Sequence, residues 1–369
     1  MSVHGYADPR LEPVLQRLEA ALAADPEYSF QAAAYRHGDR VLDVWGGPSL
    51  GEHSVIVPFS VTKNTIGLVA GLLVQRGELD LDERVAAYWP EFAAKGKQDV
   101  TVRQLLSHQA GLPQASPALS WDELLDPQVA AARLADTTPL WHPGSAFGYH
   151  AVTIGTLASE LVFRITGLTL QQYYEREIRA PRGIDFYLGL PDAEASRRAT
   201  VLPIIPPAVL PPPEFWSVLG PVVWTHAGPP MDTANDPKSW RFGHPSTSGT
   251  GSARGLARLF ASAVTGLEGQ APFLTAETVA MIGQQQVRGY DEVLGQPHRA
   301  HAIVFQKPTP ALAFGGPRAF GHDGAQGCLA VVDPDSGLAF AYTVARGPWP
   351  GGADPRALAL ATDIPRLLD

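Results

Sequence analysis

The sequence predicts a mixed α/β fold, of the α+β kind, in which one sheet is assembled from strands at both ends of the chain. A β-hairpin pattern lies near the amino terminus, and paired strand patterns return near the carboxyl terminus. The residues between them, roughly 79–195, have helical patterns separated by Gly- and Pro-bearing turns. One sheet that carries a helical insertion is the simplest architecture that accounts for these three observations.

The N-terminal segments predict a helix, a hairpin and a second helix, in that order. Leu11–Ala24 repeats its apolar residues at spacings of three and four, which is typical of an amphipathic helix. Phe30–Tyr35 and Arg40–Trp45 are the arms of the predicted hairpin. After an extended segment, Val55–Phe59, the residues Ser60–Gln75 predict a helix apolar enough to be buried in the middle of the fold.

The middle of the chain predicts a helical region, 81–200, followed by a segment of different character. The predicted helices are Asp82–Trp89, Val102–Ser107, Trp121–Leu134 and Val152–Arg164. Residues 201–245 are dense in proline, which lacks the N–H that helices and strands use, and they also carry tryptophans. We predict an ordered irregular loop that forms a lid or the wall of an apolar binding pocket, with Trp216 and Trp224 as contacts of a bound small molecule. A solvated linker is the alternative, and it fits the tryptophans less well.

The C-terminal part predicts helices and strands that complete the sheet region, which comprises 1–80 and 246–369. In chain order they are the helix Ser252–Val264, the strands His301–Phe305, Leu329–Val332 and Leu338–Val344, and a final helix Pro355–Leu368.

Composition excludes several classes of protein. The 369 residues have a net charge of −9 and no basic stripe, so nucleic acid is not an expected partner. Cys328 is the only cysteine, which permits no internal disulfide and predicts a small buried residue. Met1–Leu15 lacks the pattern of a signal peptide, and no stretch approaches the length of a membrane helix, so we expect a cytoplasmic protein without membrane contact. No metal-ligand spacing is present beyond the weak pair His298 and His301, and the oligomeric state is left open.

Two serines are candidates for a nucleophile. Ser49 lies in Gly47-Pro48-Ser49-Leu50-Gly51, which matches the G-x-S-x-G pattern, but a nucleophile elbow needs a strand before the serine and a helix after it. Pro48 precedes this serine, and the residues that follow Gly51 lack helical periodicity. Ser60, in Ser60-Val61-Thr62-Lys63, is favoured because it lies where an extended segment turns into a buried helix.

Ser60 and Lys63 suit nucleophilic catalysis, since a serine hydroxyl reacts only when a base takes its proton. At a helix start Ser60 would meet free N–H groups, and Lys63, three residues on, would lie on the same face. The positive helix end and burial would push Lys63 towards the neutral form that accepts a proton. The residues alone leave another interpretation open, in which Ser60 caps the helix and Lys63 extends to solvent.

Five segments of this chain occur together in one known group of proteins. They are Phe59–Lys63, Gly77–Asp82, Leu105–Pro113, Pro143–Ala151 and Phe320–Ala325. In these segments the chain resembles the serine β-lactamase and penicillin-binding superfamily, most of all its class C-like branch and the family VIII carboxylesterases. The resemblance covers residues 10–365 and implies a single catalytic domain of β-lactamase/transpeptidase-like fold, with an antiparallel sheet flanked by helices, and no cofactor.

The resemblance also implies roles for individual residues. Ser60 would be acylated, and Lys63 and Tyr149 would move its proton and that of the leaving group. The backbone N–H groups of Ser60 and Ala325 would form the oxyanion hole. A Tyr149 phenolate could act as a base if cationic Lys63 stabilised it. His108 is expected to be a buried, hydrogen-bonded histidine with a structural role.

Two positions depart from the lactamase pattern. Ala151 stands where the Y-x-N motif has the asparagine that holds a lactam amide. His322-Asp323-Gly324 replaces the K-T-G motif, and a carboxylate there would repel an anionic antibiotic. We therefore expect substrate contacts at His322, Asp323 and Gly324 and hydrolysis of small-molecule carboxylic esters. An acyltransferase or transesterase, an amide or lactam hydrolase, and a non-catalytic binding protein are the alternatives.

Overall fold

The computed structural model describes residues 2–210, 217–220 and 230–369. Its α-helices are Glu12–Ala24, Asn64–Gln75, Val85–Tyr88, Val102–Leu106, Trp121–Leu124, Pro127–Ala135, Thr153–Thr166, Leu170–Tyr174, Ala180–Arg182, Pro230–Asn235, Pro237–Phe242, Ala253–Phe260, Ala276–Gly283 and Pro355–Leu368. Tighter or wider helical turns are Pro9–Leu11, Phe59–Lys63, Pro90–Gly96, Glu175–Arg179, Asp192–Arg197 and Ala261–Thr265. Short strand pairs outside the main sheet are Phe186–Tyr187 with Thr250–Gly251, Val287–Asp291 with Gln296–His301, and Gln326–Gly327 with Gly352–Ala353.

Six strands form one antiparallel sheet. Their order across the sheet is His4–Ala7, Asp39–Gly46, Phe30–Arg36, Leu338–Val344, Leu329–Asp333 and Phe320–Asp323. In the middle, Phe30 of the N-terminal hairpin lies opposite Val344 from the other end of the chain. The prediction of a sheet built from both termini is thus confirmed, and its edge strand Phe320–Asp323 leads into the candidate site.

Both faces of the sheet are covered, which is why its central strands are buried along almost their whole length rather than at alternate residues. Phe30 stacks on Tyr342, whose hydroxyl donates to Asp354 at the start of the C-terminal helix. Gln31 is one residue further along and therefore points to the opposite face. There its side chain accepts the N–H of Ala253, where another helix begins.

The central helix, Asn64–Gln75, is the element on which the site rests. It is buried from Asn64 to Leu73, so it has no solvent-facing side over that length. Gly67 allows this packing, because a Cβ atom there would lie 2.3 Å from the ring of Phe305. The position of this helix in the core fixes the residues that immediately precede it.

One predicted strand is wrong. His301–Phe305 does not form a strand; the strand is Gln296–His301, and it pairs with Val287–Asp291. Val304 has a φ of 65°, a left-handed conformation that a β-branched residue rarely adopts. Its N–H donates to the carbonyl of Leu106 at 2.7 Å, so the chain turns here towards the helical region instead of extending the sheet.

Two other predictions are corrected at prolines. The predicted helix Trp121–Leu134 is divided into Trp121–Leu124 and Pro127–Ala135. The segment 201–245, predicted to be irregular, contains the helices Pro230–Asn235 and Pro237–Phe242. At the second of these, as at the second half of the divided helix, an aspartate before the proline caps the first turn by accepting its free N–H groups.

Candidate active site

Ser60 lies in a tight 3-10 turn, Phe59–Lys63, which continues directly into the central helix. The predicted helix start is therefore confirmed, although its first turn is narrower than an α-helix. Phe59 has a φ of 51°, a left-handed conformation that costs a residue with a Cβ atom about 1 kcal/mol or more. Such strain clusters at functional sites, and here it falls on the residue before the candidate nucleophile.

Lys63 is buried completely and points at Ser60. Its Nζ lies 3.1 Å from Ser60 Oγ and donates to the carbonyl oxygens of Ala151 and Ser246 at 2.6 and 2.9 Å. Burial lowers the pKa of Lys63 well below its usual value, and the opposing influence of the Asp323 carboxylate is smaller. A neutral amine has two N–H groups, which match the two carbonyls, and its lone pair is then left for the Ser60 hydroxyl.

Tyr149 completes the group of three. Its hydroxyl donates to Ser60 Oγ at 2.7 Å, and Lys63 Nζ lies 5.0 Å from the centre of its ring. Burial is the main cause that raises the pKa of Tyr149, and the hydrogen bond with Ser60 opposes it only in part. The phenol is therefore protonated at neutral pH, and the phenolate considered from the sequence is disfavoured.

Four fully buried histidines lie around Tyr149 and the segment that carries it: His108, His150, His301 and His322. Burial is the main cause that lowers the pKa of each ring, that of His150 to about 4. The rings are neutral at neutral pH and offer no cation to a phenolate. His108 Nδ1 accepts the backbone N–H of His150, which confirms the buried, hydrogen-bonded histidine predicted at this position.

The Asp291 carboxylate fixes the backbone that carries Tyr149. Its Oδ1 accepts the N–H groups of Tyr149, Val293 and Leu294 at 3.1, 3.0 and 2.8 Å. Burial raises the pKa of Asp291, but the neighbouring His301 and the N–H groups lower it by more, so the buried carboxylate is ionised. An ionised acceptor gives the strongest hydrogen bonds available to these amides.

Replacing Asp291 with alanine should lower the free energy of unfolding by about 3 kcal/mol or more, because three buried N–H groups lose their acceptor. Equilibrium unfolding in urea measures this change. Asp122→Ala is the matched control: the Asp122 side chain is 77% exposed and pairs with Lys238 on the surface, so the expected change is about 0.5 kcal/mol or less. Equal losses in the two variants would contradict the role assigned to Asp291.

The segment that carries Ala325 lies directly against the nucleophile turn. A Cβ atom on Gly324 would lie 2.2 Å from the carbonyl oxygen of Pro58, so only glycine permits this approach. Ala325 is exposed and Ser60 is half-buried, which leaves both accessible from solvent. An oxyanion hole formed by their two N–H groups stays a prediction.

The segment His322-Asp323-Gly324 lies at the site, but its side chains are tied to the protein. The Asp323 carboxylate accepts from the Gln306 side chain at 2.9 Å and from the Ala353 N–H at 3.1 Å, with 15% of the side chain exposed. His322 has no exposed surface, and its Nδ1 hydrogen-bonds the Asp323 carbonyl at 2.7 Å. Contact between substrate and these three residues stays a prediction, and the His322 ring lies beneath the site against Tyr149.

Trp216 and Trp224 lie outside the described residues, so their contact with substrate also stays a prediction. Trp240, from the same proline-rich segment, is buried in a small apolar cluster with Val55, Ile56 and Phe59. This cluster supports the extended segment that leads into Ser60.

The rival nucleophiles do not have the required geometry. Ser49 is exposed in a bend after the strand Asp39–Gly46, and no helix begins there, so the nucleophile elbow is absent from this part of the described chain. Cys328 is buried, and burial raises the pKa of its thiol to about 12. The thiol is therefore protonated, and the predicted small buried residue is confirmed.

Sequence reasoning missed the groups that hold the catalytic candidates in place. Two carbonyl oxygens, those of Ala151 and Ser246, orient Lys63, and every residue has a carbonyl, so the sequence contains no signal for them. Gln306 bonds to Asp323, and Asp291 bonds to the backbone of Tyr149, but neither is a neighbour of its partner in the sequence. Only the folded topology brings them to Asp323 and Tyr149.

Across residues 2–210, 217–220 and 230–369, no group of three or more His, Cys, Asp or Glu side chains is arranged to hold a metal ion. Over the same part of the chain, no helix combines the length and the apolar character needed to cross a bilayer.

Several known proteins are similar to this chain in sequence and in structure. A family model described as Beta-lactamase matches residues 15–363. The "Esterase/beta-lactamase LipL" of Mycobacterium tuberculosis is 30% identical over 359 residues, which are 92% of this chain and 82% of that protein. The structure of EstA from Arthrobacter nitroguajacolicus Rue61a has a TM-score of 0.92 at 43% identity, covering 100% of this chain and 99% of EstA. The structure of a family VIII carboxylesterase has a TM-score of 0.89 at 30% identity, covering 98% and 99% of the two chains.

Proposed function

Since the chain belongs to the Beta-lactamase family and is a hydrolase of that fold, we propose that it cleaves carboxylic esters through an acyl-enzyme on Ser60. The observation that carries the proposal is the convergence on Ser60 Oγ of the Lys63 amine at 3.1 Å and the Tyr149 hydroxyl at 2.7 Å. Both distances are within the reach of proton transfer. Esterases among the similar proteins support the choice of substrate.

In the proposed acylation, Ser60 Oγ attacks the ester carbonyl carbon while Lys63 Nζ takes the hydroxyl proton. The charge that develops on the carbonyl oxygen is stabilised by the N–H groups of Ser60 and Ala325. When the bond to the alcohol breaks, the Tyr149 phenol gives its proton to the alcohol oxygen. The Lys63 ammonium gives its proton to the Tyr149 oxygen, so both groups return to their starting forms. The net transfer is one proton from Ser60 to the alcohol.

Deacylation reverses these steps with water in the place of the alcohol. Water gives a proton to the pair of Lys63 and Tyr149 as its oxygen attacks the acyl carbon. Ser60 Oγ leaves, takes that proton and regains its hydroxyl, and the carboxylic acid is released. No cofactor takes part in this scheme.

Esters are favoured over lactams because of what lies beside Tyr149. Ala151 has no side-chain amide to hold a lactam, and the Asp323 carboxylate would repel an anionic antibiotic. Asp323 and Gly324 at one edge of the site, and Trp216 and Trp224 in the proline-rich segment, are the proposed contacts of a small-molecule ester. His322, predicted as a third contact at this edge, has no exposed surface and packs against Tyr149 instead.

A screen of p-nitrophenyl esters of increasing acyl length, with nitrocefin in parallel, tests the proposed substrate class. We expect ester turnover and a nitrocefin kcat/KM at least about 100-fold lower, because the site lacks the lactam-binding amide. Added alcohols measure how the acyl group partitions between water and alcohol. Preferential transfer to alcohol would make the protein an acyltransferase, and comparable nitrocefin turnover would overturn the choice of esters.

Replacing Tyr149 with phenylalanine should lower kcat for alkyl esters by about 10²- to 10³-fold, because the proton donor to the leaving group is lost while the ring remains. The loss should be smaller for esters with a good leaving group such as p-nitrophenol than for alkyl esters, which need the proton more. Tyr28→Phe removes another buried hydroxyl, one that pairs with Tyr342 away from the site, and should leave kcat unchanged. An equal loss for both leaving groups would contradict the assignment.

A further inference from the structure

The proline-rich segment exposes large apolar side chains where the structure describes it. Ile205, Val209, Leu210 and Val218 are each at least 62% exposed, whereas no other large apolar side chain among the described residues exceeds 45%. Single exposed apolar residues are common on protein surfaces. The four largest exposures within fourteen residues of sequence are not scattered in this way, and they indicate a surface that contacts something outside the chain. We refer to these four side chains as the apolar rim.

One end of the apolar rim lies beside the predicted oxyanion hole. Ile204 comes immediately before Ile205, and its side chain lies 3.5 Å from the position of a Cβ atom added to Gly351. The carbonyl oxygen of Ala325 lies 2.6 Å from the same position. Ile204 and Ala325 are therefore neighbours, and the rim begins next to the segment that packs on the nucleophile turn.

The other end lies beside the segment that carries Tyr149. The Ser217 hydroxyl donates to the carbonyl oxygen of Glu292, and the N–H of Glu292 donates to the carbonyl oxygen of Phe147 at 3.1 Å. Val218 is the next residue after Ser217, so this part of the rim lies on the turn that holds Tyr149. Whatever covers the apolar rim is consequently close to the serine hydroxyl that reacts.

The sequence of the segment suits contact with an uncharged apolar phase. Residues 201–213 include no polar side chain, and six of them are prolines, which have no N–H group to leave unpaired away from water. Between residues 201 and 220 there is no lysine or arginine, and Glu214 is the only carboxylate. Adsorption to an anionic bilayer uses basic residues, so this composition favours an electrically neutral surface.

We propose that the apolar rim adsorbs to the surface of undissolved ester, so that substrate passes from a droplet directly to Ser60. This inference rests on the proposed ester hydrolysis and adds the physical state of the substrate. Adsorption is driven by the exposed aliphatic side chains, because contact with the ester phase removes their apolar surface from water. An ester phase supplies substrate where it covers the rim, whereas a protein partner there would block the approach to the site.

Turnover of tributyrin, measured from below to above its solubility limit, tests the proposal. Above the limit we expect a rate about fivefold or more higher than the dissolved ester extrapolates to, because adsorption brings the site to concentrated substrate. Val209→Ser combined with Leu210→Ser should abolish this rise and leave kcat/KM for dissolved p-nitrophenyl butyrate unchanged. Val129→Ser, at an exposed valine of the helix Pro127–Ala135, is the matched control and should keep the rise. No rise in the unaltered protein, or an equal rise in the double variant, would overturn the proposal.

Adsorption can also be measured without catalysis, which separates this inference from the proposed function. Ser60→Ala protein should float with tributyrin droplets on centrifugation, and the same protein with serine at 209 and 210 should stay in the aqueous layer. Ser60→Ala protein that stays in the aqueous layer would contradict adsorption, even if the unaltered protein turns over dissolved esters. Adsorption without any turnover of dissolved esters would support the rim and contradict the proposed function alone. If light scattering shows that the serine substitutions dissociate an oligomer, the rim is an interface between copies and the proposal is overturned.

Discussion

Replacing Ser60 with alanine should reduce kcat for p-nitrophenyl butyrate by about 10⁴- to 10⁶-fold, the range seen when a hydrolase loses its nucleophile. Both the Lys63 amine and the Tyr149 hydroxyl converge on the Ser60 hydroxyl, and alanine leaves no nucleophile at that position. Lys63 and Tyr149 then have no serine hydroxyl to activate. Steady-state kinetics at saturating ester measures the loss.

The fold should be unaffected, because Ser60 is half-buried and its side chain bonds only to Lys63 and Tyr149 in the described structure. Ser49→Ala, at the exposed serine of the other motif, is the matched control and should keep full activity. If the Ser49 variant lost activity and the Ser60 variant kept it, Ser49 would be the nucleophile.

Replacing Lys63 with methionine should lower kcat by about 10⁴-fold, because the neutral amine that takes the Ser60 proton is lost. The chain offers a close control in Lys97, a second lysine with a fully buried side chain. Lys97 donates to three carbonyl oxygens, those of Ala94, Ala135 and Thr137, which suits an ammonium. Lys63 has two carbonyls and a hydroxyl, which suits an amine. Lys97→Met should cost stability and leave kcat near that of the unaltered protein.

The same assignment predicts the pH profile. The active form of Lys63 is neutral, and its pKa is lowered well below the usual value, so kcat/KM should be constant around neutral pH and fall on acidification as the amine gains a proton. The active form of Tyr149 is protonated, and its pKa is raised, so no loss of activity from this residue is expected up to mildly alkaline pH. A profile that rises steeply above pH 9 would instead indicate a phenolate base.

The elements with strong local signals could be predicted from the sequence. The strand Leu338–Val344 has the predicted bounds, since a turn of Asp, Pro and Gly precedes it. The helix Pro355–Leu368 has them too, since Asp354 caps its first turn and proline begins it. The resemblance to the serine β-lactamase superfamily and the β-lactamase/transpeptidase-like fold are confirmed. The prediction of a strand at His301–Phe305 was wrong because its apolar residues are buried in a turn, where Val304 has a left-handed conformation. An apolar run does not distinguish a buried turn from a buried strand.

The candidate site, too, could be predicted from the sequence only in part. The spacing of Ser60 and Lys63 placed both on one side of a helical turn, and the observed 3.1 Å between Oγ and Nζ agrees with it. The shift of Lys63 towards its neutral form was predicted from burial, and its lowered pKa agrees with that. The protonated form of Tyr149 did not follow from the sequence, because its burial depends on residues contributed by distant segments. Burial of Tyr149 among neutral histidines is the feature that changes the choice of base from the phenol to the lysine.

The central claim is that an acyl group is carried by Ser60, and trapping that intermediate tests it most directly. A fluorophosphonate, or a slowly deacylating ester, should add one label per chain, and tryptic digestion should place it in the peptide 41–63, between Arg40 and Lys63. This peptide contains both Ser49 and Ser60, so fragmentation in the mass spectrometer must locate the label. The proposed mechanism predicts the label on Ser60 and its loss in Ser60→Ala; a label on Ser49, or an unlabelled protein that still turns over esters, would contradict it.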